Sequence, residues 1–228
     1  MLPKGGNLFS QDRFITGFLD RHFGMFDSAG IRYLCCPGND DLKIFDRIFD
    51  EVCEKHSMAE NIAQRKADIG GYEVIGMDLV QDYPFGLKDR CRRDTADFVH
   101  PEQWCRAVLS TPAGWCNIPD WKEYAKKLPT LAEELEMLPK PENPKKAIYV
   151  IHMPPEGLGL DICLDRRGVG SKAVYEFLKE KQPLLSLHGH IHESPDVTGV
   201  WMADIGKTVC IQPGQPYGFA YVVIELPD

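Results

Sequence analysis

Leu187-His188-Gly189-His190-Ile191-His192 gathers three of the chain's seven histidines within five residues, at the end of a short apolar run. Neutral imidazole is a standard ligand for zinc, iron, manganese and related divalent ions. The glycine between His188 and His190 is read as the place where the backbone turns sharply. Taken alone, the stretch has a plainer alternative reading, a solvated histidine-rich turn. Its meaning depends on what the rest of the chain brings to the same place.

Two further apolar runs end in polar residues. Ile148-Tyr149-Val150-Ile151-His152-Met153-Pro154-Pro155 closes on a histidine and two prolines, and Tyr33-Leu34-Cys35-Cys36-Pro37-Gly38-Asn39-Asp40 closes on a tight polar turn. Open α/β sheets build their sites at the carboxyl ends of strands, where such runs stop. Strands are therefore expected at 31–36, 147–152, 184–188, 208–211 and 221–225. A helix is expected at 10–27, capped by Ser10 and stopped by Gly30. A second, capped by Asp40 or Asp41, carries Leu42, Phe45, Ile48, Phe49 and Val52 at helical spacing. Gly70-Gly71 reads as a hairpin turn. A helix at 171–181 between two of the strands is a βαβ signature, and the fold class is α/β. Residues 81–146 are proline-rich and less regular, with one helix expected at 120–137.

At 228 residues the chain is long enough for one domain with a substantial core, and a single domain over 1–228 is expected. A net charge of −8 argues against a broad nucleic-acid-binding face, though a metal centre can supply local positive charge for a small phosphorylated ligand. No apolar stretch approaches a membrane span, and residues 1–6 read as a loop without the apolar segment of a signal peptide. The eight cysteines form no Cys-x-x-Cys pair. They read as reduced thiols, so a cytoplasmic location is expected. Arg90, Arg92 and Arg93, with Arg166 and Arg167, read as solvated surface charge; bidentate phosphate contact is the alternative.

The order Gly38-Asn39, lone His152 and Gly189-His190-Ile191-His192 resembles the calcineurin-like metallophosphoesterases, and the likeness runs from Gly38 to Gly214. The resemblance implies two packed β-sheets flanked by helices. It implies a site of two divalent ions (manganese, iron, zinc and nickel undistinguished), with Asn39, His152 and His190 on one ion and His192 on the other. His188 precedes the motif, and a strand-closing hydrogen bond to backbone is its expected role. His22, His56 and His100 are expected to be structural.

Two departures bear on activity. Asp40 stands where many family members carry a histidine that protonates the leaving group, and an ionised carboxylate cannot donate. Asp40 and His190 are nonetheless the candidate catalytic residues. The family's opening strand with Asp-x-His, and a following strand ending in Gly-Asp, are not found ahead of Gly38. The first βαβ unit is thus expected to be missing, through a misassigned start or a shortened chain. An exposed apolar surface or sheet edge is then expected, with association into a homo-oligomer or with a partner. The function implied is hydrolysis of a phosphodiester or phosphomonoester by metal-activated water, feeble in this chain as it stands. The alternative is a non-catalytic binding or scaffold protein of the same fold.

Overall fold

The computed structural model describes residues 7–215 and 218–226, so the loop expected at 1–6 lies outside the described residues. The helix expected at 10–27 is α1 (Gln11–Phe14) and α2 (Asp20–Ala29), joined by a π-helical turn over Ile15–Leu19. Gly30 ends it in the left-handed region at φ 64°, as expected. Ser10 makes no side-chain cap. The strand β1 (Tyr33–Cys35) follows, then a 3₁₀ turn at Lys43–Phe45 and α3 (Asp46–Cys53).

Neither Asp40 nor Asp41 caps that helix. The Asp41 carboxylate turns back to accept the Gly38 N–H at 2.7 Å and so closes the loop that carries Asn39. The N–H groups at the head of the helix are satisfied from distant segments. Leu42 donates to the Gln11 side chain at 2.9 Å, and Lys43 donates to Asp89 at 2.9 Å. Orphan donors at a helix start need acceptors, and those acceptors need not be local.

The strands β2 (Ala59–Asn61), β3 (Lys66–Ile69) and β4 (Tyr72–Met77) come next, with β3 and β4 joined at Gly70-Gly71 as expected. The irregular segment holds β5 (Val80–Gln81) paired with β6 (Cys91–Arg92), and a hairpin of β7 (Val108–Thr111) and β8 (Gly114–Asn117). The one helix expected at 120–137 is two, α4 (Trp121–Ala125) and α5 (Leu131–Met137). Pro129 disfavours helical backbone at Leu128, and Thr130 restarts the helix through a capping box with Glu133. The chain then runs through β9 (Ala147–Ile151), α6 (Lys172–Lys181), β10 (Leu185–Leu187), α7 (Ser194–Thr198), β11 (Met202–Ile205) and β12 (Thr208–Ile211).

The architecture is α/β. Six strands form one mixed sheet in the order β11-β12-β10-β9-β4-β3, and smaller two-stranded sheets stand beside it. The inner strands β12, β10, β9 and β4 are parallel, and β11 and β3 run antiparallel at the edges. Parallel neighbours β9 and β10, linked by α6, are the expected βαβ unit. One face of the sheet, with Ile75, Met77, Tyr149 and Ile151, packs on Val174 and Leu178 of α6 and Leu131 and Leu135 of α5. A separate core joins Phe23 of α2 to Phe49 and Val52 of α3 and Cys35 of β1. The opposite sheet face, with Val74, Ile148, Leu185 and Ile211, is met by Val222, Ile224 and Leu226.

The strand expected at 221–225 does not form. Its residues alternate as a strand's would, with Phe219, Tyr221 and Val223 exposed at 83%, 71% and 78%. The segment pairs with no strand among the described residues, and without a ladder partner the alternation alone does not make a strand. No helix among the described residues is long and apolar enough to cross a membrane.

At the sheet edge, Lys66 donates to Glu73 at 2.6 Å and the Asn143 N–H donates to the other carboxylate oxygen at 3.1 Å. The Lys66 ammonium, then backbone donors of Asn143 and Glu142, hold the Glu73 carboxyl down at about 2. A carboxyl whose folded pKa lies below its unfolded value of about 4.5 stabilises the fold fully above that pH. The contribution fades as pH falls toward 2. Denaturant midpoints should therefore separate the parent from Glu73→Gln at pH 6, and the gap should narrow steadily as pH falls from about 4.5 toward 2.

Candidate metal centre

Three strand ends deliver side chains to one point. The loop after β1 carries Asn39, β9 runs into His152, and β10 runs into the turn that holds His190. The turns are tied to each other and to the sheet. The His152 N–H donates to Met77 O at 2.9 Å, the Gly189 N–H to His152 O at 3.1 Å, and the His188 N–H to Ile211 O at 2.8 Å. Asn39 Oδ1 lies 3.0 Å from His152 Nε2 and 2.9 Å from His190 Nδ1. The two imidazole centroids are 5.3 Å apart. Neighbouring ligands of an octahedral ion with bonds of about 2.1 Å sit about 3.0 Å from each other. The oxygen thus already stands at the spacing of an adjacent coordination position from each nitrogen, and the donor types fit a divalent ion. Among the described residues no three His, Cys, Asp or Glu side chains form a metal-holding group; the third donor here is an amide.

Gly189 does not make the sharp turn. The residue in left-handed backbone is His190, at φ 66°, with the Ile191 N–H donating across it to Gly189 O at 2.7 Å. That is a γ-turn of the strained, positive-φ kind. The glycine is needed for room. A Cβ on Gly189 would sit 3.2 Å from His152 Nδ1. Gln212, buried to 1% exposure, holds the turn with its amide on the carbonyls of Gly189 and Ile191. Nothing in the sequence around Gln212 marked it.

Burial pushes the His152 imidazolium well below its usual range, and the nearby His190 charge and then, more weakly, His192 push in the same direction. A neutral ring keeps a lone pair for a ligand. His192 lies close enough to His152 for its charge to act there. His188 has the role expected of it. Its Nδ1–H is shared between Ile151 O at 3.0 Å and Met153 O at 3.1 Å, which flank His152. Burial lowers its pKa to about 4. Asp40 accepts a hydrogen bond from Asn39 Nδ2 at 3.0 Å, which turns the amide oxygen toward the two rings.

Arg90 and Arg92 are neither surface charge nor phosphate contacts. Arg90, 3% exposed, pairs with Asp78 and Asp46 and donates to Asp41 O at 3.3 Å. Arg92 pairs with Glu134 at 2.7 Å. Clustered arginines read as solvated because their carboxylate partners are distant in sequence. Arg167 is a surface residue paired with Asp165 at 2.6 Å. The remaining histidines are structural, as expected. His56 lies between Asp27 at 2.7 Å and Asp20 at 3.3 Å, and His100 holds Asp82 at 2.7 Å. His22 packs against Phe18, Phe26 and Tyr33. Asp20-Arg21-His22 has the letters of Asp-x-His, but it lies on the helix α2 rather than at a strand end.

No protein-family model and no curated protein matches the chain. A solved crystal structure aligns with 91% of this chain and 67% of its own length, at 21% identity and a TM-score of 0.50. The crystal structure of TT1561 from Thermus thermophilus aligns with 91% of this chain and 82% of its own, at 19% identity and a TM-score of 0.43. The first likeness speaks to the fold alone.

Left-handed backbone at a residue with a side chain is strained by roughly 1–2 kcal/mol. His190→Gly should therefore be more stable than His190→Ala by about 1 kcal/mol in chemical denaturation, although both lack the imidazole. Equal stabilities would show that the turn stores no strain.

Proposed function

We propose that this chain is a metal-dependent phosphoesterase of the calcineurin-like kind, with two packed sheets completing its fold. The approach of His152 Nε2 and His190 Nδ1 to within 3.0 Å of Asn39 Oδ1 carries the reading. The order of these residues along the chain supports it. Asn39, His152 and His190 would hold one divalent ion, and His192 would face a second. A bound ion would polarise the phosphoryl oxygens of a small phosphorylated substrate and bring a water toward neutral pKa.

The chain's own groups prepare that chemistry. His152 is kept neutral by burial and presents a lone pair. Asp40 orients the Asn39 amide. His188 and Gln212 fix the backbone on either side of the two imidazole ligands. Asp40, as an ionised acceptor, is poorly suited to protonate an alkoxide, so diesters or activated esters with good leaving groups are the better substrates. His190 and Asp40 are the candidate catalytic groups in this reading.

Manganese calorimetry and hydrolysis of an aryl phosphodiester test the proposal together. The parent should bind manganese and hydrolyse the diester slowly. His152→Ala, His190→Ala and Asn39→Ala should each weaken metal binding by about tenfold or more, the range seen when a ligand's support is lost. Metal binding unchanged in both histidine variants, with folding intact by circular dichroism, would end the reading. Metal binding without any hydrolysis would favour a binding protein of the same fold.

A further inference from the structure

A continuous line of aromatic rings leads away from the centre to solvent. The Tyr83 ring lies 6.0 Å from the His190 ring, Phe85 lies 5.8 Å from Tyr83, and Trp104 stands edge-on 5.3 Å from Phe85. The Tyr83 hydroxyl donates to Leu87 O at 2.7 Å, so the ring is anchored. Phe85 and Trp104 are 56% and 59% exposed. Single exposed apolar residues are ordinary on protein surfaces, but an ordered pair contiguous with a polar centre is less so.

The two loops that carry these rings are held as if their positions mattered. Asp82, immediately before Tyr83, is buried to 3% exposure. Its carboxylate accepts Lys88 Nζ at 2.7 Å, His100 Nδ1 at 2.7 Å and Gln103 Nε2 at 3.2 Å. Lys88 is itself fully buried. The loop of Phe85 and the loop of Trp104 are thus fastened to one buried carboxylate. The Trp104 N–H also donates to Pro84 O at 2.9 Å, directly joining the two loops. Aromatic faces held rigidly in solvent lose little entropy when a flat ring stacks on them.

We propose that Phe85 and Trp104, continued inward by Tyr83, form a stacking subsite for a planar aromatic group on the phosphorylated substrate. The inference rests on the proposed phosphoesterase reading for its phosphate end only. The metal centre would take the phosphoryl group, and the rings would select esters that carry an aromatic ring over purely aliphatic ones. Tyr83 would set the spacing between the two ends.

Calorimetry with four probes in the presence of manganese tests it: adenosine monophosphate, benzyl phosphate, ribose 5-phosphate and adenosine. The first and third differ only in the base. The parent should bind adenosine monophosphate, benzyl phosphate or both about tenfold more tightly than ribose 5-phosphate, within the range that stacking of one base supplies. Phe85→Ala with Trp104→Ala should erase that margin and leave ribose 5-phosphate binding unchanged. Both side chains are exposed, so the double variant should fold, which circular dichroism checks. A margin for adenosine monophosphate alone would narrow the subsite to a nucleobase. Equal affinity for the three phosphates, or a margin that survives the double substitution, would overturn the proposal and leave the aromatic pair as a protein-contact surface. Adenosine separates the two readings, because it carries the ring and no phosphate. Adenosine binding that depends on Phe85 and Trp104, with no binding of ribose 5-phosphate, would keep the subsite and refute the phosphoesterase reading.

Discussion

The Arg90 guanidinium holds together the parts on which the centre depends. Asn39 belongs to the unit built from α2, β1 and α3, whereas His152 and His190 belong to the ends of β9 and β10 in the main sheet. Each region has its own apolar core, and a third cluster packs Leu34 and Cys36 of the first against Val74 and Ile148 of the sheet. Arg90 pairs at once with Asp46 at the start of α3 and with Asp78 just beyond β4, and donates to the Asp41 carbonyl beside the Asn39 loop. Desolvating a guanidinium is expensive, and breaking a buried pair leaves an uncompensated charge that costs about 3–5 kcal/mol. Three acceptors around one buried cation add direction to the apolar contact that joins the two regions. The spacing of Asn39 from both imidazoles follows from that placement.

Local strain and local burial serve the same point. His190 sits in left-handed backbone that most side chains avoid, with Gln212 and the Gly189 carbonyl bracing the turn. His152 is neutral because it is buried, and His188 is spent on the carbonyls that flank it. In a chain that needed only stability, a glycine at position 190 and apolar residues at 152 and 188 would be the easier choices. Concentrated strain and polar burial of this kind gather at functional sites.

How much of this was legible in the sequence follows from the range of each interaction. Apolar runs ending in Asn39, His152 and His190 show in one dimension, because strand ends are local and the α/β class follows from strand–helix–strand order. The hairpin at Gly70-Gly71 and the stop at Gly30 are legible for the same reason, since positive φ is a property of one residue. Asp41 misled, because an acidic residue before a helical pattern looks like a cap, while its carboxylate closes a loop three residues back. The helix starts were instead satisfied by Gln11 and Asp89, whose distance along the chain hides them. Arg90 looked like surface charge because its partners Asp46 and Asp78 are far away in sequence. The alternating segment 221–225 carries a strand's pattern, yet strand formation needs a neighbour, and pattern says nothing about the neighbour.

A centre built across two cores has a thermodynamic consequence. An ion that binds only when Asn39 meets both imidazoles binds only the docked arrangement. In the proposed reading its free energy would then add to the association of the two regions, growing with the logarithm of the ion concentration above its dissociation constant. The Arg90 pairs and the ion would stabilise the same geometry from opposite sides of the Asn39 loop, one through a buried cation fixed in the chain and one through a cation taken from solution. Without the ion, Asn39 Oδ1 is satisfied by the two imidazole N–H groups, so the loop has hydrogen-bond partners in either state. On binding an ion, each neutral ring would carry its proton on the other nitrogen and turn the freed lone pair to the metal, so the same three residues would close the loop before the ion arrives and hold the ion afterwards.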